Sequence, residues 1–242
     1  MLAIIIPCFN EANRLLVSAF QSFIAKEKEL RLIFVNDGSE DTTLSVLQTL
    51  AASDPEQIQV LDLPKNVGKA AAVQQGMYYA KTHFSPQLFA YLDADLSTSL
   101  EECLSLSKKI NPDTLFVFGS RIIKTDNTIK RKWYRFLIGR VIAFIISKML
   151  GIPVYDTQCG CKIFDATIVS TAFTGDFSSR WLFDVEIFYR LIHHFGKSEF
   201  LQKTKEVPLE QWIDTEDSRV KMTYMFRLWI DLYLLSQRYG KS

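Results

Sequence analysis

Apolar runs of strand length recur through the first half of the chain, at 2–6, 31–35, 58–61, 88–92 and 114–118. Segments with helical periodicity lie between them, near 12–26, 42–52, 69–82 and 99–110. Strand–helix alternation with short turns predicts a parallel sheet covered by helices on both faces. Start signals agree with it. Asp41-Thr42-Thr43 is placed to cap the second helix, and Ser97 to Ser99 followed by Glu101 and Glu102 suits the fourth. The expected fold class is α/β, a mostly parallel sheet flanked by helices. No internal repeat, low-complexity segment or linker interrupts the pattern, so one domain over 1–242 is expected, with halves 1–118 and 119–242.

The second half reads differently. Residues 119–150 carry eight basic residues, from Arg121 to Lys148, against one acid, Asp126. Trp133, Tyr134, Phe136 and Phe144 are interleaved with them, and a second aromatic helix, "MTYMFRLWIDLYLL", lies at 222–235. Basic residues beside exposed aromatics favour an anionic membrane interface. The alternative is an ordinary core with a solvated charged face.

Composition narrows the class. A chain of 242 residues with 48% apolar content, ten Gly and seven Pro folds around a sizeable core and is not disordered. A net charge of +1 gives no global pull toward nucleic acid. Cys8, Cys103, Cys159 and Cys161 are spaced neither as a disulfide framework nor as a zinc set, which points to a reducing compartment. The longest stretch without a charge is twelve residues, 42–53, against the roughly 20 that span a bilayer. The opening "LAIII" lacks a basic n-region, so no signal peptide is expected, and the chain reads as soluble or surface-bound.

In a parallel sheet, ligands gather beyond the carboxyl ends of the strands. Four such ends carry polar signals: "PCFNE" (7–11), "NDGSED" (36–41), "NVGKA" (66–70) and "DADLS" (93–97). Ser39 and Asp41 taken alone fit a helix cap, and Gly68 alone fits a turn. The convergence of all four on one edge points to a ligand site. Asp93 and Asp95 read either as a cap beside a surface acid or as a cation site. Two close carboxylates repel unless a cation or donors compensate, and hard oxygen ligands suit Mg²⁺ or Mn²⁺ together with substrate phosphates. Rival sites are missing: "GKS" at 196–198 and 240–242 lacks the earlier glycine of a P-loop, and no G-x-G-x-x-G or G-x-S-x-G occurs. Three histidines, His83, His193 and His194, make no catalytic zinc site.

Taken in order, "IIIPCFNE", "VNDGSEDTT", "NVGKAAAVQQG" and "DADLS" resemble the inverting family 2 glycosyltransferases of GT-A fold. "GSR" (119–121), "DTQCGCKIF" (156–164), "RWLFDVEI" (180–187) and "EVPLEQW" (206–212) look like their polyprenyl-phosphate branch, above all the dolichyl-phosphate β-glucosyltransferases. The resemblance spans roughly 2–221. Cys161 departs from it, standing where relatives usually carry an aromatic, and the chain shows neither the leading membrane anchor nor the trailing membrane helices of relatives.

The resemblance implies roles. Pro7, Asn10 and Glu11 would line the nucleotide pocket, Asp37 would bond the base, and Gly68 and Lys69 would sit near the nucleotide. Asp93 and Asp95 would serve the sugar diphosphate and a Mg or Mn ion, with Asp95 the principal metal ligand. Asp156 would lie beside the reacting sugar, opposite the leaving diphosphate, although an Asp there also fits a turn cap. Arg121, Arg135, Lys162 and Arg180 would meet acceptor phosphate, and Asp184 and Glu186 would shape that side. On this reading 1–118 binds the nucleotide sugar and 119–242 faces acceptor and membrane.

The expected activity is inverting transfer of a hexose, glucose from UDP-glucose, onto a polyprenyl or dolichyl phosphate. The protein would sit peripherally on the cytoplasmic face of a membrane and bind no nucleic acid. A GDP-mannose-dependent mannosyltransferase and a family 2 enzyme with a hydroxyl acceptor remain alternatives. From other classes, a nucleotidyltransferase lacks its Gly-rich, Arg-containing opening here, and a non-catalytic membrane-binding protein has no need of Asp93 and Asp95.

Overall fold

A computed structural model of the chain describes residues 1–122, 128–130, 133–213 and 222–239, with side chains described over 1–122, 139–213 and 228–239. Strands β1 (Leu2–Cys8), β2 (Leu30–Asn36), β3 (Ile58–Asp62), β4 (Leu88–Leu92) and β5 (Phe116–Ser120) form on the five apolar runs. Helices α1 (Val17–Lys26), α2 (Thr43–Ser53), α3 (Lys69–Phe84) and α4 (Leu100–Ser107) separate them. The second half adds β6 (Thr128–Lys130), α5 (Trp133–Leu150), β7 (Cys161–Asp165), α6 (Ala166–Ala172), α7 (Phe183–Phe195), α8 (Lys197–Lys203), β8 (Thr204–Pro208), β9 (Gln211–Ile213) and α9 (Met222–Tyr239).

The runs are apolar on both faces because both faces are covered. Side chains alternate along a strand, so Ala3 and Ile5 of β1 join one core while Leu2, Ile4, Ile6 and Cys8 join the other. The first core packs under α3, α5, α6, α7, α8 and α9, with Phe116, Phe118, Phe164, Phe188 and Phe200 at its centre. The second packs under α1, α2 and α4 through Phe20, Phe23, Leu47, Leu50, Cys103 and Leu106. Each fully buried Leu, Ile or Phe contributes roughly 1.5–3 kcal/mol, so the two layers hold the strand ends in fixed relation.

The sheet runs β3-β2-β1-β4-β7-β5-β8. β1 pairs in parallel with β2 and β4, and β2 with β3, so the ends of these four strands share one edge. β7 is antiparallel to both β4 and β5, facing Leu92 with Cys161 and Phe118 with Lys162. Its start therefore lies at that same edge, and so does the end of β5. β8 is parallel to β5. A small second sheet pairs β6 with β9.

Boundaries differ from the sequence reading at several places, the starts of α1 and β5 among them. α1 begins at Val17, not near 12, because Arg14 N and Leu15 N donate to Glu11 O and hold 11–15 as a turn. β5 begins two residues late, after a tight Asn111–Thr114 bridge. The predicted caps act: Ser99 Oγ accepts from Glu102 N at 3.1 Å, and Asp41 Oδ1 accepts from Thr43 N at 2.9 Å. The four cysteines are free and buried.

Candidate active site

Side chains of the second loop hold the first. Asn10 N donates to Ser39 Oγ at 2.9 Å, and Glu40 N donates back to Asn10 Oδ1 at 2.8 Å. Glu11 N donates to Thr43 Oγ1 at 2.7 Å, while Ala12 N donates to Asp41 Oδ2 at 3.3 Å. Asn10 adopts φ 52°, a left-handed conformation that Asn tolerates better than most side chains. Pro7, one residue before the end of β1, pairs with Val35 of β2. The caps seen in the sequence thus also build a rigid floor.

Asp37 ties in the third loop. Its Oδ1 accepts from Val67 N at 2.7 Å and its Oδ2 from Gly68 N at 2.9 Å. Burial raises its pKa against the pull of these bonds and of the Arg180 charge. Each oxygen keeps a second acceptor direction beyond these two bonds. Gly68 begins α3 at φ 92°, a region costly for side chains, and its α-carbon faces Arg180, whose Cδ would lie 3.0 Å from an added Cβ.

The two carboxylates beyond β4 have different surroundings. Asp93 Oδ1 lies 2.5 Å from Lys69 Nζ, and Asp93 N donates to Gly160 O at 3.1 Å. Asp95 Oδ1 accepts from Ser97 N at 3.0 Å, and its Oδ2 meets Arg14 only at 3.9 Å. Burial works against the Lys69 charge, but the carboxylates of Asp93, Asp184 and Asp95 together outweigh it and raise the Lys69 pKa. Lys69 stands at the first turn of α3, where backbone N–H groups also favour anions. Gly160 was not singled out in the sequence, yet a Cβ there would fall 2.1 Å from Asp93 Oδ2. Among the described residues no group of three or more His, Cys, Asp or Glu stands ready to cage a metal. Two partly exposed carboxylates fit a hard cation that takes its other ligands from a diphosphate and water.

Asp156 is the most constrained acid of the edge. Arg121 grips it in a fork, Nε to Oδ2 at 2.6 Å and Nη2 to Oδ1 at 2.8 Å, and Arg121 N adds a bond at 3.1 Å. Burial pushes its carboxyl upward, but Arg121 overcomes this and brings it down to about 2. Glu206, on β8, accepts from Tyr155 N at 2.9 Å and Asp156 N at 2.8 Å, so it fixes the turn that presents Asp156. Arg121 also lies over the Trp212 ring, 5.3 Å from its centroid. Glu206 and Trp212 were visible only as letters of "EVPLEQW". A single acid in a short strand signals nothing until its partner turn is known.

Three expectations require correction. Lys162 is not available to an acceptor phosphate: it is fully buried, donating to Cys159 O at 2.7 Å and Asp184 Oδ1 at 2.6 Å. Strand pairing between β4 and β5 turns it inward, a consequence invisible in "CKIF". Asp184 and Glu186 are interior too. Asp184 accepts from Lys162 and from Tyr91 OH, and Glu186 accepts from Ser178 N, Arg190 and Tyr239. Arg180 lies instead against Gly68 and Asp37, because the segment before α7 folds back toward α3. Arg121 is at the expected edge but engaged with Asp156. The Arg135 side chain lies outside the described residues.

Residues 3–173 match the description Glycosyl transferase family 2. The chain belongs to this family. Relatives by sequence include a dolichyl-phosphate beta-glucosyltransferase of Trichomonas vaginalis, 31% identical over 246 residues, covering 94% of this chain and 68% of the relative. The dolichyl-phosphate beta-glucosyltransferase of Homo sapiens is 26% identical over 255 residues, covering 94% of this chain and 77% of the relative. Among solved structures, glucosyl-3-phosphoglycerate synthase from Mycobacterium tuberculosis in complex with Mn²⁺, UDP and phosphoglyceric acid aligns with a TM-score of 0.72 at 14% identity. It covers 99% of this chain and 78% of that one. The family enzymes share the GT-A fold seen here, a mostly parallel sheet flanked by helices.

Proposed function

We propose that this family member transfers glucose from UDP-glucose, with inversion, onto a polyprenyl or dolichyl phosphate. The observation that carries the acceptor assignment is the Arg121–Asp156 fork. A hydroxyl acceptor needs a general base whose pKa lies near the working pH. An acid brought down to about 2 is a poor one. A phosphate monoester is already anionic near neutral pH and needs no base. The names of the sequence relatives support the same acceptor.

In this reading Pro7, Asn10, Glu11, Asp37, Gly68 and Arg180 hold the nucleotide on the stitched loops. Asp95 and Asp93 would hold a Mg or Mn ion, which would supply positive charge on the side of the diphosphate. Lys69 adds a fixed cation on the same side, and preorganised charge of this kind is the principal electrostatic task of the site. An acceptor phosphate oxygen forms a bond to the anomeric carbon while the bond from that carbon to the diphosphate oxygen breaks, and the electron pair leaves with the diphosphate. Asp156, with its charge compensated by Arg121, lines the side on which the acceptor enters.

The acceptor is a lipid, so the protein works at a membrane surface, on its cytoplasmic face. No helix among the described residues is long and apolar enough to cross a membrane. Exposed Trp229, Ile230, Tyr233 and Leu234 of α9, and Val141 and Phe144 of α5 beside Lys148, supply apolar and cationic surface for an interface. The single domain expected over 1–242 is supported by the shared sheet, to which both halves contribute strands.

The test is mass spectrometry of products from UDP-glucose, GDP-mannose and other nucleotide sugars, each offered a polyprenyl phosphate and the matching alcohol. A hexosyl phosphate lipid formed with UDP-glucose is the expected product. Transfer only to the alcohol, or only from another donor, overturns the acceptor or the donor assignment respectively.

A further inference from the structure

Beside Asp156 the chain holds a cavity of about 40 Å³ between α5 and the turn 155–158. Arg140, Tyr155 and Thr157 line it, together with Arg121, Asp156 and Gln158. Two of its groups lack the partners that their chemistry calls for. Thr157 is buried, and its hydroxyl makes no hydrogen bond. Leaving a buried hydroxyl unmatched costs stability, so it is retained where a ligand or water completes it. Arg140 is half-buried. Its Nη1 donates to Tyr155 O at 2.9 Å, and its guanidinium stacks on the Tyr155 ring, 3.5 Å from the centroid. Neither partner carries negative charge, and among the described residues no carboxylate lies within ion-pair distance of Arg140. Arg121, by contrast, is spent on Asp156.

We propose that this cavity is an oxyanion subsite, in which Arg140 and the Thr157 hydroxyl receive the phosphate group of the acceptor. The inference rests on the phosphate-acceptor reading above and names the residues that carry it. The stack on Tyr155 fixes the guanidinium plane, which suits paired N–H donation to two oxygens of one phosphate. The Thr157 hydroxyl donates to a third. At about 40 Å³ the cavity exceeds the roughly 10–15 Å³ that one water needs, so it admits a small polar group. Asp156, on the cavity wall, cannot share space with an anion while uncompensated. The Arg121 fork removes that repulsion, which gives the ion pair a positioning role. A plain alcohol gains nothing from Arg140, so the subsite discriminates phosphate from hydroxyl.

The experiment is calorimetric titration of the full chain with a short, water-soluble isoprenyl monophosphate, the matching isoprenol, inorganic phosphate and UDP. The variants are Arg140→Gln, Arg140→Lys, Thr157→Val and Thr157→Ser. Arg140→Gln is expected to weaken isoprenyl monophosphate by at least about tenfold, as loss of a charge-assisted contact does, with UDP binding unchanged. Arg140→Lys recovers part of the affinity. Thr157→Val keeps the shape and deletes only an unpartnered hydroxyl, so it leaves Tm equal or higher while weakening the monophosphate about threefold or more, and Thr157→Ser restores it. This opposite movement of stability and affinity separates a ligand role from a structural one. Unchanged monophosphate affinity in both Arg140→Gln and Thr157→Val overturns the subsite. Arg140-dependent binding of the monophosphate or inorganic phosphate, without transfer of hexose to any phosphate, keeps the subsite and overturns the acceptor reading. Hexose transfer to the monophosphate with wild-type KM in both variants does the reverse.

Discussion

A methyl group added at Gly160 would fall 2.1 Å from Asp93 Oδ2 and 2.4 Å from its Cγ, so one of the two must move. The short Asp93 side chain gives way more easily than the strand start behind Gly160. Gly160→Ala should therefore keep the fold and cut kcat by roughly ten- to a hundredfold, the usual cost of displacing a reacting group by about an ångström. Equal kcat in wild type and variant would show that the Asp93 position does not matter. Asp95→Asn keeps shape and removes charge; it should abolish cation-dependent turnover with little change in Tm, and full activity of the native enzyme in excess EDTA would sink the cation assignment. Asp156 links to pH. Its folded pKa of about 2 lies below the ordinary 3.8, so its ion pair stabilises the fold above that ordinary value and is lost as pH falls toward 2. The difference corresponds to about 2 kcal/mol. Unfolding free energy measured from pH 6 to pH 2 should show this loss in the wild type and not in Asp156→Asn, which should also slow transfer at least about tenfold with UDP affinity retained.

At the scale of elements, the decisive one is β7. Inserted antiparallel between β4 and β5, it brings the turn 155–160 to the edge where Asp93 lies, and it carries Lys162 into the core. Buried ammonium and carboxylate hold each other there, with Tyr91 OH as a third member on Asp184. Removing one partner leaves an uncompensated charge inside, so Lys162→Met should cost about 3–5 kcal/mol in urea unfolding. Near-native stability in that variant would contradict the buried pair. α9 acts from the other side. Its Asp231 accepts from Ser179 Oγ at 2.5 Å, and Arg238 contacts Ser178, so the helix pins the segment that presents Arg180 to Gly68.

Considered whole, the molecule has a ligand edge and an apolar surface outside it. Trp229 is 50% exposed and Tyr233 62% exposed on α9, while Leu228, Leu232 and Leu235 are buried on the inner side. The helix is thus apolar on its inner side, against the core, and carries an exposed apolar patch on its outer side, a surface that a membrane interface would cover. The protein should sediment with vesicles rich in anionic lipid and release in high salt, and Trp229→Ala with Tyr233→Ala should lower the bound fraction several-fold. Equal partition with and without vesicles would count against surface binding. The basic run Lys130, Arg131 and Lys132, expected to add to this attraction, has its side chains outside the described residues.

Much of this was legible in the letters. Alternating apolar runs set the five strands, since a strand buried on both faces needs apolar residues throughout, and four polar strand ends marked the edge where a ligand belongs. The acids Asp93, Asp95 and Asp156 stood out as candidates because local pattern and family likeness both reach them. What a sequence cannot specify is which distant groups meet. The order β4-β7-β5 is a long-range choice, and it decides that Lys162 faces Asp184 inside rather than a phosphate outside. Gly160 became significant only once Asp93 was seen against its α-carbon. The Arg121–Asp156 fork spans 35 residues of chain. Its geometry turns an acid read either as a neighbour of the reacting sugar or as a turn cap into an ion-paired carboxylate with its pKa brought down to about 2. Sequence determined the composition of the edge, because strand patterning and loop chemistry are local. Tertiary structure alone decided which charges there are already paired, because pairing depends on separations between residues far apart in the chain.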